Sequence, residues 1–157
     1  MSEPAGEWPG GVCLGVDVGK VRVGVAICDP GGILATPLTT LARDNSARDG
    51  AIPTDISEIA RLTAAHQAVG VVVGLPVGLS GQEGPAAAGV REYVQLLAAA
   101  IRPVPIWLAD ERMSTVVATR RLTERGVRGK RQRAVVDQVA AVEILQGWLD
   151  AHRRRVQ

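Results

Sequence analysis

Aromatic residues are nearly absent: Trp8, Trp107, Trp148 and Tyr93 are the whole set in 157 residues, and there is no phenylalanine. The core must therefore be built from Ala, Val, Leu and Ile, which supply most of the 46% hydrophobic content and favour an α/β construction. Cysteine is equally scarce. Cys13 and Cys28 are too few for a disulfide scaffold and lack metal-site spacing, so they read as buried thiols in a reducing compartment. They lie almost symmetrically about Lys20–Val21, where a tight hairpin would set them opposite each other. No apolar run approaches the roughly 18 residues that cross a bilayer. The opening MSEPAGEWPGG also lacks the basic and apolar regions of a signal peptide, so a cytoplasmic protein without membrane association is expected.

The length suits one domain, able to bury roughly 70% of its unfolded surface. A leader rich in Pro, Gly and Glu occupies 1–11, the folded domain is expected over 12–150, and a basic tail follows at 151–157. The net charge of +2 conceals an asymmetry: six basic against ten acidic residues over 1–100, then twelve against six over 101–157. Most of the excess lies in RRLTERGVRGKRQR, where Arg120, Arg121, Arg125, Arg128, Lys130, Arg131 and Arg133 face only Glu124. Such a segment is either a solvated basic loop or a surface for the phosphate backbone of a nucleic acid.

Three β-rich stretches, VCLGVDV (12–18), RVGVAICD (22–29) and ILATPLTTL (33–41), are joined by links so short that they imply an antiparallel meander. A polar loop leads to a helix over about 54–68, capped by Thr54 or Asp55, with Ile56, Ile59, Ala60 and Thr63 on one stripe and Gly70 as its stop. VVVGL (71–75) reads as a strand covered on both faces. Val90, Val94, Leu97 and Ile101 mark a helical face that ends before Pro103. IWLAD (106–110) is a fifth strand, and helices follow over about 114–125, stopped by Gly126, and 132–150. The order β-β-β-α-β-α-β-α-α predicts a mixed five-stranded sheet with helices packed on it, the order of ribonuclease H-like folds.

Asp17 ends the first strand, Asp110–Glu111 ends the fifth, and Asp137 opens the last helix. The carboxyl ends of neighbouring parallel strands open onto one sheet edge, where ligands of α/β proteins bind. Stepping four, seven and eleven residues on from Asp137 gives Ala141, Ile144 and Trp148, an apolar line that should face the sheet and turn Asp137 inward. Gathered carboxylates raise one another's pKa and are expensive to bury, and a hard divalent cation removes both difficulties. Mg²⁺ takes oxygen ligands, and a pair of such ions supports phosphodiester cleavage. Each acid also has a plain reading: Asp17 as turn chemistry ahead of Gly19, Asp137 as a helix-dipole partner, Asp110 and Glu111 as solvated acids.

GVDVGKVRVGVA, VVVGLPVGLSGQEG, LADERMSTVVA and DQVAAVEILQGWL resemble, in order and spacing, the four blocks of the YqgF nuclease family, and the resemblance runs from about 12 to 150. It implies a ribonuclease H-like fold, similar to the RuvX-type and other bacterial Holliday-junction resolvases. Members of this family are described as nucleases that process the 5′ end of pre-16S rRNA, with junction resolution as the other role. By this resemblance Asp17, Glu111 and Asp137 would be catalytic acids holding Mg²⁺ or Mn²⁺, with Asp110 a close neighbour. Lys20, Arg22, Arg112 and the basic residues Arg120, Arg121, Arg128, Lys130, Arg131 and Arg133 would contact structured RNA or branched DNA. Two departures stand out: the family's Lys-Arg pair reads Val21-Arg22 with a lysine displaced to Lys20, and GLPVGLSG carries no acid, so Glu111 must take that place. The loop GLPVGLSGQEG could bring backbone amides to a phosphate or simply connect two elements, and it lacks a P-loop ending. Cleavage of a four-way junction would call for a homodimer with two symmetric sites. Two other classes share parts of the pattern: an ATPase of the actin and sugar-kinase type, which needs two such domains, and a non-catalytic nucleic-acid-binding module using only the basic segment.

Overall fold

The structure, a computed structural model, describes residues 8–46, 48, 50–78, 80–113 and 130–156. Its strands are β1 (Cys13–Val18), β2 (Arg22–Cys28), β3 (Ala35–Ala42), β4 (Gly70–Leu75) and β5 (Ile106–Asp110). The helices among these residues are α1 (Thr54–Ala65), α2 (Pro85–Ile101), a 3₁₀ turn over Glu111–Met113, and α3 (Lys130–Val156). The expected helix over 114–125 and its stop at Gly126 lie outside the described residues. The strands form one sheet in the order β3-β2-β1-β4-β5. β1, β2 and β3 pair antiparallel, whereas β4 joins β1 and β5 joins β4 in parallel, which is the expected mixed sheet.

Strand alternation sorts the side chains by size. Leu14, Val16, Val23, Val25, Val71 and Val73 point to one face and form a core with Ile56, Ile59 and Leu62 of α1 and Val90, Tyr93 and Leu97 of α2. The other face carries Cys13, Ala26, Cys28 and Val72, and it meets Ala140, Ala141, Ile144, Leu145, Trp148 and Leu149 of α3. The residues interleaved on that second face are glycines. A Cβ on Gly15 would stand 2.6 Å from Cβ of Leu145, one on Gly24 would collide with the Asp137 carbonyl, and one on Gly70 would enter the Trp107 ring. The missing side chains let α3 lie almost directly on the backbone of β1 and β2.

Local differences from the expected boundaries have local causes. β3 starts at Ala35 because Asp29 accepts the N–H groups of Gly31, Ile33 and Leu34 and holds that stretch as a turn. Neither Thr54 nor Asp55 caps α1: the Thr54 N–H donates to Asp44, ten residues upstream, and Asp55 is buried. Gly70 does not stop α1. The chain reverses at His66 and Gln67, where Gln67 takes φ 51°, and Gly70 opens β4. α3 extends to Val156, so most of the expected tail is helical, tied down by Arg153 on Asp150 and on the Gly32 carbonyl. Part of the leader is also packed, with the Trp8 indole over Gly32 and its Nε1–H donating to Gly11. Cys13 and Cys28 are free, buried and adjacent across the hairpin, the Cys13 amide donating to the Cys28 sulfur at 3.2 Å. Donation from Cys13 lowers the Cys28 pKa to about 7, and the Cys13 thiol that donates is pushed well above its ordinary value. No helix among the described residues is long and apolar enough to cross a membrane.

Candidate active site

The pairing register places Asp17 of β1 opposite Gly24 of β2. Continued by one residue, the β1–β4 register sets Asp17 against Gly74. Asp17 is thus the one side chain between two glycines in a row of the sheet, on the face that α3 covers, and it is only 1% exposed. Opposed residues of a ladder share a face, so whatever lies over the two glycines also surrounds the aspartate. Over Gly24 lies the backbone of Asp137; over Gly74 lies Glu111, whose Oε1 would be 3.1 Å from a Cβ there. The fold therefore carries Asp17, Glu111 and Asp137 to one corner, although Glu111 and Asp137 are 26 positions apart and Asp17 and Glu111 are 94 apart.

Their environments differ. Glu111 is 6% exposed, held by the 3₁₀ turn that ends β5. Its neighbour Asp110 points outward and is clasped by Arg112 through Nε and Nη2, the latter at 2.6 Å, and this pairing lowers the Asp110 pKa. Two adjacent acids are thereby divided: one is committed to an arginine at the surface, the other is turned inward. Arg112 also lies near the glycine-rich loop, with Nη1 3.6 Å from the position a Gly81 Cβ would take. Asp137 receives Nε of Arg22 at 3.0 Å, a bond that joins the mouth of the β1–β2 hairpin to α3. Arg22 is accordingly an internal partner of an acid, whereas Lys20 at the hairpin turn is exposed.

Three carboxylates from three elements offer an all-oxygen donor set, two of them buried at a sheet edge, and this chemistry suits a hard divalent cation. In the present side-chain arrangement they are not drawn together around a common point: among the described residues no three His, Cys, Asp or Glu side chains are grouped tightly enough to hold a metal ion. Asp137 is in this arrangement ion-paired with Arg22.

Of the basic candidates, Lys130, Arg131 and Arg133 fall on the opening turns of α3, while Arg120, Arg121 and Arg128 lie outside the described residues. The sequence reading missed a brace behind the hairpin. The Arg43 N–H donates to the Val21 carbonyl, its Nη1 to the Gly19 carbonyl at 2.8 Å, and Asn45 donates to the Lys20 carbonyl. The Arg43 guanidinium lies 4.9 Å from the centre of the Tyr93 ring, and the Tyr93 hydroxyl donates to buried Asp55 at 2.7 Å. Burial and this carboxylate push the Tyr93 pKa up, so the phenol stays protonated and donating. Tyr93 is thus a packed residue of the core. The one signal for this brace was a polar tip on an otherwise apolar helical face.

A family model described as "RuvX: Holliday junction resolvase" matches residues 11–151. Curated relatives named "Putative pre-16S rRNA nuclease" include one from Frankia casuarinae, 54% identical over 142 residues, which make up 90% of this chain and 68% of that protein. Another from Rhodococcus erythropolis is 47% identical over 92% of this chain and 80% of its own length, and one from Mycobacterium ulcerans is 49% identical over 96% and 87%. Among solved structures, Thermus thermophilus RuvC in complex with a Holliday junction superposes with a TM-score of 0.54 at 16% identity, covering 93% of this chain and 96% of that one. A second Thermus thermophilus RuvC structure gives 0.53 at 14% identity, over 92% and 96%. The fold is that of RuvC-like, ribonuclease H-type proteins, and the chain belongs to the RuvX family.

Proposed function

We propose that this protein is a cytoplasmic, metal-dependent endonuclease that trims the 5′ end of pre-16S rRNA. The observation that carries the proposal is the burial of Asp17 between two glycines, beneath Asp137 and beside Glu111. Burying a carboxylate is costly, and an acid at 1% exposure beside two others is retained for chemistry rather than for stability. The names of the relatives supply the substrate.

In this reading Asp17, Glu111 and Asp137 hold Mg²⁺ or Mn²⁺. When bound, such ions lower the pKa of an attacking water and stabilise the leaving oxygen of a phosphodiester. The remaining steps belong to the chain. Glycines at 24 and 74 keep α3 and the 3₁₀ turn close enough for acids on three elements to face one phosphate. Asp110 keeps Arg112 at the rim beside the glycine-rich loop, where a guanidinium can orient the backbone. Lys20 and the basic opening of α3, at Lys130, Arg131 and Arg133, extend that contact and give binding a salt dependence.

Resolution of four-way DNA junctions is the second reading, favoured by the description of the family model. It would require a homodimer presenting two sites to symmetric strands. Side-by-side cleavage of a 5′-extended 16S precursor and a synthetic four-way junction, with molecular mass measured in the same buffer, separates the two. The proposal expects Mg²⁺-dependent cuts near the mature 5′ end of the RNA; symmetric junction cuts by a dimer with intact RNA would replace it. Binding without cleavage of either substrate would leave a non-catalytic module.

A further inference from the structure

Arg22 stands on the first residue of β2, at the mouth of the hairpin whose other strand carries Asp17. Its guanidinium bonds Asp137 through Nε, and the two side chains are 21% and 16% exposed, so the pair sits at the rim of the acid corner rather than inside it. Among the described residues the bond to Asp137 runs through Nε alone. Arg112, among the described residues near this corner, is committed to Asp110. Arg22 thus places a positive charge on Asp137 at the rim of this corner.

A divalent cation and this guanidinium cannot both have first claim on the same carboxylate. An entering ion supplies two positive charges to the corner and makes the arginine there redundant, indeed repelled. A guanidinium released at the rim can take a new anionic partner, and its planar fork matches phosphate oxygens. We propose that Arg22 is a two-partner residue: it holds Asp137 while the site lacks metal, and it exchanges that carboxylate for the substrate backbone when a divalent cation enters. The inference rests on the metal-dependent reading above and adds an internal competitor to it.

The test is calorimetric titration of Mn²⁺ into the full-length protein and its Arg22→Gln, Arg22→Lys, Asp17→Asn and Asp137→Asn variants, with no nucleic acid present. Removing the competitor should tighten Mn²⁺ binding in Arg22→Gln by about 5-fold or more, the usual lower range for coupled sites. Arg22→Lys, which keeps the charge, should stay closer to the original protein. In an Asp137→Asn background the Arg22→Gln change should no longer alter affinity. Mn²⁺ binding that depends on Asp17 but is unchanged or weakened in Arg22→Gln would overturn this inference alone. Lack of any Asp17-dependent binding would overturn the acid assignment, and the exchange with it.

Discussion

Gly24 illustrates how much of this site depends on what single residues omit. A methyl group there would meet the Asp137 carbonyl, which belongs to a helix backbone and cannot rotate away. Gly24→Ala should therefore shift α3 outward, lower stability by about 1–3 kcal/mol, and weaken Mn²⁺ affinity by more than a thermal melt alone would suggest. Tyr93→Phe removes the donor that serves buried Asp55 while keeping the ring under Arg43. A carboxylate left with one partner fewer costs about 1–3 kcal/mol, visible as a lower urea midpoint at unchanged slope. Asp44 gives a pH-dependent case. Bonds from Ser46 and the Thr54 N–H lower its pKa from 3.8 to about 2, so its contribution to the start of α1 is complete above pH 4 and is lost as pH falls through 2. Asp44→Ala should lower the melting temperature at pH 7, and the difference should shrink as pH approaches 2 and vanish below it.

At the scale of elements, α3 is the member that turns a meander and two parallel strands into a site, because it lies across β1, β2 and β4 at once. Leu145 is fully buried against Gly15, so Leu145→Ala should cost roughly 2–5 kcal/mol and reduce Asp137-dependent metal binding along with stability, both measurable in one preparation. Much of this was legible in the sequence. β-rich stretches and short turns foretold the meander, and the Asp137–Ala141–Ile144–Trp148 line foretold the helix face, since all three of its apolar members are buried. Other contacts were illegible because they join residues distant in the chain. Nothing near Arg22 announces Asp137, 115 positions away, and nothing near Thr54 says that Asp44 will cap it. The glycines at 15, 24, 70 and 74 were visible, but their common role appears only once the register lays them on one face.

For the whole molecule, charge and topology act together. The acids occupy a sheet corner, while basic residues lie at the hairpin turn and on the opening turns of α3, and the proposed function assigns the first to cleavage and the second to holding a polyanion. Binding of a precursor RNA fragment in EDTA should weaken steeply with salt, and charge reversal at Lys130 and Arg131 should flatten the logarithmic slope by about 1 or 2. The most direct test of the central claim is cleavage of a 5′-extended 16S precursor by Asp17→Asn and Glu111→Gln proteins whose melting curves show an intact fold. The account predicts that each substitution slows cleavage by about 1,000-fold or more while metal-free RNA binding persists; full cleavage by both variants would contradict it.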